Sequence, residues 1–269
     1  MPAKHATPAP ASRPSAAQAA AAVTALEREG ERDTVAVEEP LEIRVDGEPV
    51  AVTMRTPGHD EELALGFLFG EGLIDAPRSA APPADLAANT IEVQGPLARE
   101  LPARRFYTTS SCGVCGKGAI EEVRVHCRAL APGPRVPRAL LAGLPERLVQ
   151  PGFSRTGGLH ATGLFDARGE LRCVREDVGR HNAMDKVVGW ALEHGLPPLS
   201  RQLMCVSGRV SFELVQKAAV AGAPVLVGVG APTSLAVEFA REHGMTLCGF
   251  ARGARVNVYC GEERVHGGF

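Results

Sequence analysis

The sequence predicts an α/β protein in two parts: a small α+β domain over residues 34–130 and a layered α/β sandwich over residues 137–265. Two observations carry this. Beyond residue 137, short apolar strand runs alternate with helical runs through brief polar links, the pattern of a mostly parallel sheet covered by helices. Before it the elements are shorter and less regular, and Ala131 to Pro137 is a proline-rich stretch that reads as a linker. The Ala- and Pro-rich residues 1–33 are expected to form a disordered tail.

In the first domain, Thr34 to Thr53 alternates as strands do, and Asp46-Gly47 marks a hairpin turn. Pro57-Gly58 stops that run. Asp60-Glu61-Glu62 then opens a helix with Leu63, Phe67 and Leu68 on one face, ended by Gly70 and Gly72. Thr90 to Gln94 and Arg104 to Thr108 read as short strands. A glycine-rich loop over 110–118 leads into a helix from about Ala119 to His126. In the second domain the expected order is helix 138–148, strands 159–165 and 171–175 joined by Asp166-Ala167-Arg168-Gly169, helix 179–194, strand 202–206, helix 210–221, strand 224–229, helix 234–243, and strands 245–250 and 255–259. Ligands of such sheets bind beyond the carboxyl ends of the strands, where this chain places its glycine-bearing polar loops.

Composition narrows the function. The chain has 269 residues, with 29 Lys plus Arg against 31 Asp plus Glu and only 4% aromatic residues. A near-neutral, aromatic-poor protein is neither a general DNA coater nor a stacking platform for single strands, so no nucleic-acid partner is expected. No run reaches the roughly 20 apolar residues that span a bilayer, so no membrane partner is expected either. Seven cysteines, an odd number in a chain too large to need disulfide staples, point to a reducing, cytoplasmic setting.

Two of them, Cys112 and Cys115, form a C-x-x-C pair ahead of the expected helix, with Lys117 two residues on. Helix-terminal N–H groups and a nearby cation both favour thiolate over thiol, which makes this loop a nucleophile candidate. Structural zinc held with His126 and Cys127, and a redox pair, are the alternatives. Cys173, Cys205, Cys248 and Cys260 read as buried apolar residues. His160 follows Gly157-Gly158-Leu159, but Thr162 stands where a zinc deaminase needs glutamate and Ser207-Gly208-Arg209 where it needs a cysteine pair, which disfavours deamination. Arg180, His181 and Asn182 open one helix and Arg209 precedes another, together resembling a phosphate site. Phe250-Ala251-Arg252-Gly253-Ala254-Arg255 adds two arginine forks and an aromatic face suited to a diphosphate-bearing ring.

These segments in order resemble the FdhD family, the formate dehydrogenase accessory sulfurtransferases. The resemblance runs from about Val35 to Tyr259. It rests on Thr56-Pro57-Gly58-His59 with its following helix, the Ser-Ser-Cys112-Gly-Val-Cys115-Gly loop, Gly158-Leu159-His160, the run from Asp177 to Lys186, Ser207-Gly208-Arg209, and Phe250 to Arg255. It implies a cytidine-deaminase-like three-layer α/β/α domain without the zinc chemistry and with no metal of its own. It implies that Cys112 carries a persulfide received from a cysteine desulfurase, with Cys115 beside it. The sulfur would go to molybdenum in bis(molybdopterin guanine dinucleotide), bound as substrate, before insertion into the formate dehydrogenase apoenzyme. Phe250, Ala251, Arg252, Gly253, Ala254 and Arg255 would contact the guanine nucleotide part of that cofactor. A cytoplasmic homodimer is also implied.

Overall fold

The structure is a computed structural model that describes residues 11–85, 87–99 and 129–267, together with the backbone of 106–107. Cys112, Cys115 and the expected helix after them lie outside the described residues.

Part of the N-terminal segment expected to be disordered is ordered instead. Ser15 caps helix α1 (Ala16–Ala21) through a reciprocal bond pair with Gln18, which satisfies two orphan amides of a helix too weak to stand alone. Strands β1 (Val23–Arg28) and β2 (Glu31–Ala36) follow as a hairpin whose turn residues Glu29 and Gly30 both have positive φ. Composition concealed this because a capping box and a two-residue turn are local geometry that an alanine-rich average hides. Ser12 also bridges to the sheet edge at Cys173.

Strands β3 (Glu39–Val45) and β4 (Glu48–Arg55) form the hairpin signalled by Asp46-Gly47. With β5 (Ala80–Ala81), β6 (Thr90–Val93) and β7 (Phe106–Tyr107) they make a five-stranded sheet in the order β5-β6-β3-β4-β7. Helix α2 (Asp60–Gly70) was expected to bury one face. Eight of its residues are buried, Leu65 and Gly66 as well as Leu63 and Leu68, because it lies between this sheet and a second helix.

The expected linker is packed rather than free: β8 (Val136–Pro137) pairs in parallel with β15 (Val265–His266). The helix expected over 138–148 is shorter. α3 (Arg138–Ala142) stops at Gly143, and Pro145 starts a separate 3-10 turn (Pro145–Arg147). Helix α4 (Pro151–Thr156), absent from the sequence reading, starts on Pro151 and ends on Gly157 at φ +65°. Then follow β9 (His160–Asp166), β10 (Leu171–Asp177), α5 (Arg180–Glu193), β11 (Gln202–Val206), α6 (Phe212–Val220), β12 (Val225–Gly228), α7 (Ser234–Glu242), β13 (Thr246–Arg252) and β14 (Arg255–Cys260).

The six-stranded sheet runs β10-β9-β11-β12-β13-β14. It is mixed, not mostly parallel: only β11–β12 and β12–β13 are parallel. The tight turns after β9 and β13 can only return the chain antiparallel, whereas the helical crossovers α6 and α7 make the parallel pairs. Alternation along the strands gives each face its own core. Leu164, Met204, Val206 and Leu226 pack beneath α5, α6 and α7, while Phe165, Leu203, Cys205 and Val227 pack beneath α3 and the residues after it. The protein is thus α/β, with helices on both faces of its larger sheet.

α2 and α5 join the two sheets at near backbone contact. A Cβ on Gly66 would lie 1.8 Å from the Asp185 carbonyl oxygen, and one on Gly189 would lie 1.8 Å from that of Glu62. Only glycine fits either position.

Candidate functional site

The ends of four strands meet along one edge of the larger sheet. Ala161 N–H donates to Ser207 Oγ (2.8 Å), and Ser207 N–H to the Ala161 carbonyl (2.9 Å), so His160 at the start of β9 sits beside the loop leaving β11. Gly230 N–H donates to the Gly208 carbonyl (3.0 Å) and Phe250 N–H to that of Gly230 (3.2 Å). His160, Ser207–Arg209, the Val229–Ala231 turn and Phe250 therefore line one crevice, at which α5, α6 and α7 begin. Gly230 permits the approach, since a Cβ there would lie 2.9 Å from the Arg209 amide nitrogen. The sequence expectation that these loops share one edge holds.

Phe250 is half exposed and has φ +52°, a left-handed conformation that costs a non-glycine residue energy and keeps the ring at the crevice rim. Ala251 points into the core. Arg252, Gly253, Ala254 and Arg255 are exposed, with Arg252 paired to Arg255 across a turn at Gly253, φ +61°. The hairpin is tied down by Gly253 N–H donating to Glu146 Oε1 (2.7 Å).

The polar run from Asp177 to Lys186 divides in two. Arg180 and His181 remain at the crevice; His181 Nε2 is 3.3 Å from Ser211 Oγ and 3.8 Å from Glu213 Oε2. Burial, then the Arg180 charge, lowers the His160 imidazole below its usual value and pushes His181 down to about 4, so both are neutral at pH 7. The remaining residues turn inward. Lys186 Nζ contacts Asp177 Oδ2 at 2.7 Å and donates to the Thr56 carbonyl at 2.8 Å; Asn182 Nδ2 donates to the Met54 carbonyl at 2.7 Å. Asn182 is thus not part of an anion site but fastens the first domain to the second. The first domain's T-P-G-H segment forms the other side of this contact, and Arg175 grips Glu62 with two bonds of 2.6 Å. His59, at φ +60°, is driven down to about 3 by burial and by Arg175 and Lys186.

All four described cysteines, Cys173, Cys205, Cys248 and Cys260, are buried, and burial raises each thiol, that of Cys248 to about 12. None can supply a thiolate near neutral pH. Thiolate chemistry is therefore left to Cys112, Cys115 and Cys127. Among the described residues no group of three His, Cys, Asp or Glu side chains could hold a metal ion, and no helix is long and apolar enough to cross a membrane. Buried Thr162, two residues from His160, cannot replace a deaminase glutamate.

Residues 36–266 match the FdhD/NarQ family. The chain belongs to this family. It is 51% identical over 251 residues to proteins named sulfur carrier protein FdhD from Streptomyces avermitilis and Streptomyces coelicolor, covering 87% of this chain and 89% of each relative. A Mycobacterium tuberculosis protein of the same name is 47% identical over 255 residues, covering 87% of this chain and 92% of its own. A crystal structure from Desulfotalea psychrophila, assigned as a formate dehydrogenase accessory protein, superimposes with a TM-score of 0.69 at 28% identity, covering 91% of this chain and 97% of that one.

Sequence reasoning missed the part of the crevice made by Glu146, Gln150 and Phe153. They fall in a segment without chemical motifs, and only the 3-10 turn and α4 bring them beside His160.

Proposed function

We propose that this protein is a sulfur carrier that takes persulfide sulfur from a cysteine desulfurase onto Cys112 and delivers it to the molybdenum of bis(molybdopterin guanine dinucleotide), the substrate, for formate dehydrogenase. The observation that carries this reading is that every described cysteine is buried with a raised thiol, in a chain whose relatives are named sulfur carriers. In the loading step the Cys112 thiolate attacks the outer sulfur of the donor persulfide. The new S–S bond forms as the donor's S–S bond breaks, and the donor cysteine leaves as thiolate. For release, the Cys115 thiolate attacks Cys112 Sγ and expels the outer sulfur as hydrosulfide toward the metal. A disulfide remains, which a cellular dithiol reduces before the next cycle. The crevice, with Phe250 and the Arg252–Arg255 hairpin at its rim, suits the diphosphate and guanine parts of the substrate. The desulfurase, the formate dehydrogenase apoenzyme and a second copy of the chain, in the cytoplasm, complete this reading.

The test is intact-mass and peptide analysis after incubation with a desulfurase and cysteine. One labile sulfur mapped to the Cys112 peptide is expected, with none in Cys112→Ala and less than wild type in Cys115→Ala. Wild-type loading of Cys112→Ala would overturn the assignment.

A further inference from the structure

We propose that the pocket beside the Arg252–Arg255 hairpin is a slot for a planar heterocycle in which Glu146 reads the 2-amino-4-oxo edge shared by guanine and pterin rings. This rests on the substrate reading above and names what the crevice distinguishes. The cavity measures about 460 Å³, enough for a bicyclic ring and part of its substituent. Its walls are apolar and suited to a flat ring: the Phe153 side chain, 45% exposed without a partner element over it, and Leu159. The backbone at Gly157 is bare, with nothing within 4 Å of where a Cβ would be. An aromatic face left exposed beside an open glycine wall is the arrangement that holds a heterocycle between them.

The polar groups of the pocket set its selectivity. Glu146 Oε1 takes the Gly253 N–H, and no other hydrogen bond or ion pair among the described residues occupies the carboxylate. Its second oxygen and the spare lone pair of the first accept two donors side by side. Guanine and pterin present two such donors, a ring N–H next to an exocyclic amine. Hypoxanthine offers one, and adenine places an acceptor there, which a carboxylate repels. Across the pocket, Gln150 and His160 can donate to the ring oxo group; His160 is neutral and keeps one N–H for this. Because Glu146 also holds Gly253, a ring bound at Glu146 leaves its phosphates beside Arg252 and Arg255. Base and phosphate recognition are thereby joined through one side chain.

Calorimetry on the full chain with GDP, IDP, ADP and 6-hydroxymethylpterin tests this. Wild type is expected to bind GDP at least tenfold tighter than IDP, with ADP weaker still. Glu146→Gln keeps an amide oxygen for Gly253 but turns its NH₂ toward the ligand's donors. It should weaken GDP at least tenfold and bring the GDP-to-IDP ratio toward one. Tight pterin binding lost in Glu146→Gln, with GDP indifferent to it, would support the slot and assign its occupant to the pterin. If GDP binding depends on Arg252 but neither its affinity nor its selectivity depends on Glu146, the slot is wrong and the substrate reading stands. If neither GDP nor the pterin binds wild type, the slot and the cofactor-binding part of the substrate reading both fall.

Discussion

Replacing Gly66 with alanine should strongly destabilise the protein, and the size of the effect follows from the helix crossing. The added Cβ would lie 1.8 Å from the Asp185 carbonyl oxygen and 2.9 Å from Asp185 Cα. The closest ordinary C···O contact is about 3.3 Å, so α2 and α5 must separate by about 1.5 Å. Both atoms struck are backbone, so no side chain can swing aside. Separation pulls Glu62 from Arg175, now held by two 2.6 Å bonds, and strains the Lys186 bond to Thr56. Overpacking a close-packed contact costs about 1–3 kcal/mol, and loosening buried ionic contacts adds to that. The opposing gain, alanine over glycine in a helix, is about 1 kcal/mol. A net loss of about 2–4 kcal/mol is expected, which for a chain of this size lowers Tm by about 5–15 °C. Thermal and urea unfolding of Gly66→Ala against wild type measures it. A Tm within 1 °C of wild type would refute the reasoning, since the helices would then be free to part without cost.

Three further perturbations probe the fold and the crevice. Glu62→Leu leaves the Arg175 charge buried without its partner and should cost about 3–5 kcal/mol in urea unfolding, most of it recovered by also changing Arg175→Met; a neutral single variant would refute the pairing. His181 is held down to about 4, so below pH 6.5 the unfolded chain binds a proton that the folded one refuses. Its contribution to stability is complete above pH 6.5 and is lost as pH falls toward 4. The stability difference between wild type and His181→Gln should therefore be flat above pH 6.5 and change by up to about 1.4 kcal/mol per pH unit between pH 6 and 4.5; a difference independent of pH would contradict the burial of this imidazole. Arg252→Ala and Arg255→Ala should each weaken GDP by about 1.5–3 kcal/mol, lysine restoring only part, as measured by calorimetry; equal affinity in all variants would take the hairpin out of the site.

Elements whose signals are local were legible in the sequence. The Asp46-Gly47 turn, the alternation of strand and helix from β9 to β14, and the loops bearing Ser207-Gly208-Arg209 and Phe250 to Arg255 all follow from periodicity and turn chemistry, which act over a few residues. The burial of the four single cysteines was legible for the same reason. Tertiary structure decided what depends on distant neighbours. Asp177, Asn182 and Lys186 read as part of a polar helix start, yet they face Met54 and Thr56, more than 120 residues away, because desolvated polar groups must find partners wherever the fold brings them. Gly66 and Gly189 are unremarkable within their helices, and only the crossing shows why neither can carry a side chain. The mixed direction of the large sheet, and the place of Glu146 beneath the Gly253 turn, likewise come from pairings that no window of sequence contains.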